Sequence, residues 1–105
     1  MTAEEARLLR TAAERLEGLA GRTTAGDWRT GGLLASRPEV ISHDTDGTTE
    51  HVAEARARTA AWIAALSPAI AGPLATWLRS AADGDPVEPA ALAVAQTLLN
   101  RLPHS

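Results

Sequence analysis

Apolar positions fall at helical spacing near both ends of the chain and lose that spacing in the middle. Leu9, Ala12, Ala13, Leu16, Leu19 and Ala20 recur at steps of three and four, while Arg7, Arg10, Glu14 and Glu17 lie mostly off that face. This is the period of an amphipathic helix. Thr2 followed by Glu5 forms a capping-box pattern, in which each side chain satisfies a free backbone donor at a helix start. With Gly21 as a stop, the spacing predicts a helix over 2–20.

Gly, Thr, Asp and Pro dominate between Arg22 and Glu50, around short runs of strand-favouring residues. A β-rich segment is expected over 27–52. Its candidate strands are Trp28–Thr30, Leu33–Ala35, Glu39–His43 and Thr48–Val52. Asp44-Thr45-Asp46-Gly47 reads as the tight turn before the last of these, because Asp and Gly tolerate the backbone angles that hairpins require.

Helical spacing returns with Thr59, Trp62, Ile63 and Leu66, which predicts a helix over 53–66. Ser67 and Pro68 restart the pattern as N-cap and first helical residue, giving a second helix over 68–82 along Ile70, Leu74, Trp77, Leu78 and Ala81. Asp83-Gly84-Asp85-Pro86 breaks the chain. A last helix over 89–102 places Ala91, Leu92, Ala95, Leu98, Leu99 and Leu102 on one face. The expected fold is α+β: a β-hairpin or a three-to-four-stranded antiparallel sheet packed against three or four helices, in a single small domain over 1–105.

Composition thins the expected core. Of 105 residues, 23 are Ala and only 20 are Leu, Ile, Val or Phe, so Trp28, Trp62 and Trp77 must supply much of the large apolar surface. A small core of this kind is often completed by a second subunit, which makes a homodimer the expected assembly. Trp62 and Trp77, on apolar helical stripes, are candidates for core or subunit interface. Trp28, beside Arg29, is the aromatic expected to be partly exposed, and all three are interface candidates.

The net charge of −3 argues against a phosphate-gripping surface, so nucleic acid is not the expected partner. The absence of Cys excludes a disulfide framework and thiol catalysis. Glu4, Glu5, Arg7 and Arg10 interrupt any signal-peptide run, and Thr59–Leu78 contains Ser67, Pro68, Gly72 and Pro73. That is a poor match to a bilayer span of about 20 apolar residues. A cytoplasmic location with no membrane partner is the expectation.

Three parts of the chain carry a resemblance. Thr24-Ala25-Gly26-Asp27-Trp28, and Glu50-His51 followed by Ala61-Trp62-Ile63-Ala64-Ala65-Leu66-Ser67-Pro68, resemble motifs of small actinobacterial and phage proteins of the ead-like group. Ala91-Leu92-Ala93-Val94-Ala95-Gln96-Thr97-Leu98-Leu99 is similar to that group's closing helix. Ala25-Gly26-Asp27 stands where the group usually carries Pro. The resemblance implies a leading helix, a short hairpin and two further helices, and an actinobacterial or phage origin. The Ala-rich, Lys-free composition points to the same origin. No catalytic residue is implied.

The chemically richest stretch is His43, Asp44, Asp46, Glu50 and His51. Imidazoles and carboxylates are ordinary ligands for zinc or manganese. His43, Asp44, Asp46 and His51 are therefore the candidates for a divalent-metal site or a metal-assisted hydrolase; the alternative is a solvated turn beside a polar strand. A calcium loop starting at Asp44 fails because Ala55 occupies the position that needs Glu. No G-x-S-x-G elbow or Gly-rich nucleotide cradle is present, and no cofactor is implied. The expected function is a non-enzymatic protein–protein interaction or regulatory module.

Overall fold

A computed structural model describes residues 2–31 and 38–103. Along the chain run α1 (Ala3–Ala20), β1 (Asp27–Gly31), β2 (Glu39–His43), β3 (Thr49–Glu54), α2 (Ala57–Ala65), a single 3-10 turn (Pro68–Ile70), α3 (Ala71–Ala82) and α4 (Pro89–Arg101). The class is α+β, and the three strands form one antiparallel sheet in the order β1-β2-β3. The expected strand at Leu33–Ala35 lies outside the described residues.

Contacts gather the chain into two compact units. One holds the residues up to Arg22 and those from Ile70 on; the other is Thr23–Ala69.

In the first unit α1, α3 and α4 pack on one another. The capping box forms as its residue types dictate: the Glu5 amide donates to Thr2 Oγ1 at 3.0 Å, and the Thr2 amide donates to Glu5 Oε1 at 2.9 Å. The fully covered positions are mostly Ala: Ala6, Ala12 and Ala13 on α1, Ala75 and Ala82 on α3, Ala91 and Ala95 on α4. Small side chains let helix axes approach closely. Leu9 and Leu78, both at 0% exposure, are the only large side chains fully buried there among the described residues. Trp77, Leu98 and Leu99 pack against this centre while staying half-buried. Two ion pairs tie α1 to the end of α3, Arg10 Nη2 to Asp83 Oδ1 at 2.7 Å and Arg79 to Glu17.

In the second unit, β2 is the central strand. Its register sets Glu39, Ile41 and His43 on one face, and Val40 and Ser42, both buried, on the other. α2 packs against β1 and β2. Pairing runs His43↔Thr49, Ser42↔Glu50 and Ile41↔His51, then slips by one residue so that Val40 faces Ala53 and Glu39 faces Glu54. The slip is a β-bulge at Val52, which keeps Ala53 and Glu54 in the sheet. This corrects the expected helix start at 53. Two ladder positions and a bond from the Ala55 amide to the Pro38 carbonyl at 3.2 Å override the helix preference of Ala there. Likewise Pro68–Ile70 is a 3-10 turn, and α3 begins at Ala71 with Pro73 in its first turn, where a missing donor costs nothing.

Gly26 is the tightest backbone position. Its φ of +103° lies in the left-handed region, and a Cβ there would sit 2.3 Å from Ser42 Oγ and 3.0 Å from the His43 carbonyl oxygen. Ser42 Oγ in turn donates to the Ala25 carbonyl, so backbone and side chain interlock at the start of β1. Gly26→Ala is expected to lower stability by about 2 kcal/mol or more, combining backbone strain with a steric clash. Urea unfolding followed by circular dichroism checks it.

Candidate functional site

The turn between β2 and β3 is closed by its own residues. The Gly47 amide donates to the Asp44 carbonyl at 3.1 Å, and the Asp44 amide to the Thr48 carbonyl at 2.9 Å. Gly47, with φ +87°, takes the left-handed position that such a hairpin loop requires. Asp44 Oδ1 accepts from the Thr45 amide at 2.9 Å. Asp46 Oδ1 accepts from the Thr48 amide at 2.9 Å and from its hydroxyl at 2.6 Å. These bonds, the hydroxyl's first, hold the Asp46 carboxyl below its ordinary pKa.

The two histidines sit apart from that turn chemistry. His43 and His51 lie on the same face of the sheet but on diagonal positions, since His43 pairs with Thr49 and His51 with Ile41. Diagonal neighbours stand about 7–8 Å apart. His51 Nδ1 is instead 2.9 Å from Glu39 Oε2. Among the described residues no group of three His, Asp or Glu side chains converges on a point that would hold a metal ion. His43, Asp44, Asp46 and His51 are neighbours in sequence whose side chains serve the turn and the open sheet face separately.

Beside the turn lies a polar hollow of about 330 Å³, lined by Ala25, Ser42, Asp44, Thr48, Thr49 and Glu50. Ser42, the one hydroxyl there that is also buried, is engaged with the Ala25 carbonyl. None of these residues forms a nucleophile–base pair with a histidine.

The three tryptophans separate clearly. Trp77 packs on the helical core of the first unit. Trp28 is half-buried, and its Nε1 donates to the Thr24 carbonyl at 3.0 Å, the wet-edged placement its sequence context predicts. Trp62 is 67% exposed, the most exposed large apolar side chain among the described residues. Of the two placements expected for Trp62, core or subunit interface, this exposure excludes the core.

The reason lies in α2 itself. Ala60, Ile63, Ala64 and Ser67 are buried or half-buried, whereas Arg58, Ala61, Trp62, Ala65 and Leu66 are exposed. Both sets recur at steps of three and four, so α2 carries two apolar faces, only one of which is covered. A helix that is apolar all round is normally buried all round. Leu66 at 49% exposure extends the outer face past Trp62.

Ala57–Ala82 also contains a strongly apolar stretch, little of which is buried. This stretch is long and apolar enough in total to cross a membrane, but its helix is broken between Leu66 and Ile70. α2 has nine residues and α3 twelve, each well short of the roughly 20 a span requires.

Comparison with protein-family models, with curated proteins and with solved structures finds no match.

One electrostatic consequence follows for both units. Glu17, hydrogen-bonded to Arg79, and Asp46, hydrogen-bonded to Thr48, have pKa values lowered by folding. Each contributes stability that is fully present above its unfolded pKa. That contribution is lost as pH falls through the depressed folded value, because the unfolded chain takes up the proton first. Thermal midpoints are expected to fall as pH drops below about 4, and Glu17→Gln with Asp46→Asn flattens that acid limb.

Proposed function

We propose that this chain is a non-enzymatic protein–protein interaction module of the cytoplasm, which assembles through the exposed face of α2. The observation that carries the reading is Trp62, 67% exposed at the centre of an apolar helix face with Leu66 one turn on. Tryptophan is enriched where binding energy concentrates, because one rigid side chain buries a large area at low entropic cost. The thin Ala core supports the same reading, since a second subunit supplies burial that one chain lacks. The His and Asp residues of the β2–β3 hairpin support no catalytic role: the Asp carboxylates bond their own turn, and His51 bonds Glu39.

The test follows the indole itself. Emission of wild-type protein is expected to shift to shorter wavelength as concentration rises and Trp62 leaves water, while Trp62→Phe abolishes the shift. Emission independent of concentration would contradict assembly through this face.

A further inference from the structure

The proposed docking face does not by itself say what covers it; the ends of α2 do. Arg56 is the N-cap and makes no side-chain capping bond, no acidic residue stands in the first turn and no basic residue in the last. Arg58 instead places a cation in the first turn, where the helix dipole is already positive, and no ion pair engages it among the described residues. Both ends of the macrodipole are thus uncompensated within the chain, and the N-terminal charge has the unfavourable sign. A partner helix running in the opposite direction corrects both ends at once. The best-matched helix is α2 itself, because its exposed face is apolar in the middle and cationic at the start, while its last turn carries the negative end of the dipole with no basic residue to meet it.

We propose, resting on the reading of α2 as the docking surface, that its occupant is α2 of a second copy. The two helices run antiparallel, with Trp62 near the two-fold axis and Arg58 of each copy at the C-terminal end of the other's α2. A two-fold interface is self-complementary, so each contact occurs twice. Trp62 rings meeting near the axis adopt offset or edge-to-face packing. Ala61 and Ala65 flank Trp62 and leave the helices room to approach. Seven residues separate Arg58 from Ala65, about 10 Å along the axis. A parallel pair would therefore set Arg58 against its own copy and far from the partner's last turn. The net charge of −3 disfavours the other apolar-face occupant, an anionic lipid surface.

A charge swap tests the arrangement on the full chain. Arg58→Glu puts an acid in the first turn, and Ala65→Lys puts a base in the last, so each improves the dipole of its own helix and neither is expected to lower helical content by circular dichroism. In the antiparallel pair each nonetheless removes an attraction or adds a repulsion across the interface. Sedimentation equilibrium is expected to show self-association weakened roughly three- to tenfold by either change. The double variant is expected to return to within about twofold of wild type, through the new carboxylate–ammonium pair across the axis.

Single variants that associate like wild type, or a double variant no stronger than the singles, would overturn the antiparallel arrangement. If Trp62→Asp still abolishes association in that case, the docking reading stands and only the arrangement falls. If Trp62→Asp leaves association unchanged, the docking reading falls too. Co-sedimentation of monomeric wild type with phosphatidylserine vesicles would overturn the second copy in favour of a lipid surface.

Discussion

Leu78→Ala is expected to cost about 3–5 kcal/mol of unfolding free energy. Leu78 is fully buried in a cluster whose other buried members are Ala, apart from Leu9, among the described residues, while Trp77, Leu98 and Leu99 pack against it from half-buried positions. A cavity left by Leu is refilled only when neighbours can swing in, and the buried members of this cluster, nearly all Ala, have no side chain to swing. The loss therefore sits at the upper end for Leu→Ala, a large share of the roughly 5–15 kcal/mol that holds a domain of this size together. Urea unfolding followed by far-UV circular dichroism measures it. Leu92→Ala, at a half-buried position on α4, serves as the comparison and is expected to cost about 1 kcal/mol.

Trp62→Asp is expected to have the opposite profile, with little effect on the fold of one chain and a large effect on assembly. The indole is mostly in water, so its removal takes little from the packing of α2 on β1 and β2. At a two-fold interface the same substitution acts twice. Burying one large apolar side chain contributes about 1.5–3 kcal/mol, so losing two removes about 3–6 kcal/mol. That is more than a hundredfold in the dissociation constant, before the cost of placing two carboxylates face to face. Unchanged far-UV circular dichroism together with a monomeric mass is the expected pair of results.

Much of the architecture was legible from local chemistry. Thr2 and Glu5 mark the start of α1 because the capping box needs only residues three apart. Asp44 to Gly47 mark the hairpin turn for the same reason, since its bonds are all local. Where long-range contacts decide, sequence reasoning missed. Ala53 reads as helical by propensity, yet it pairs with Val40 across the bulge. Helical spacing leaves Trp62 as either core or subunit interface, because α2 has two such faces and periodicity alone does not say that Ala60, Ile63 and Ala64 are the ones covered. The signal that was available is the lack of any polar residue from Ala60 to Leu66, which gives α2 no water-facing side.

In the hairpin cluster, closeness in sequence and convergence in space are separate matters. His43, Asp44, Asp46 and His51 draw attention because they are close in sequence, but a β-turn separates neighbours that a helix would bring together. Asp in a turn is best explained by the amides it accepts from, as Thr45 and Thr48 show. The partner of His51 is Glu39, twelve residues away on the neighbouring strand, which no local pattern signals. Gly26 was likewise invisible as a constraint, because the Ser42 hydroxyl that forbids a side chain there comes from another strand.

The central claim is that one chain leaves the outer face of α2 for another copy to cover. Sedimentation velocity over a wide concentration range, run on wild type and on Trp62→Asp, tests it most directly. The account predicts a wild-type species of about twice 11.0 kDa that dissociates on dilution, and a Trp62→Asp chain that stays at 11.0 kDa throughout. A wild-type protein that sediments at 11.0 kDa at every concentration would contradict it.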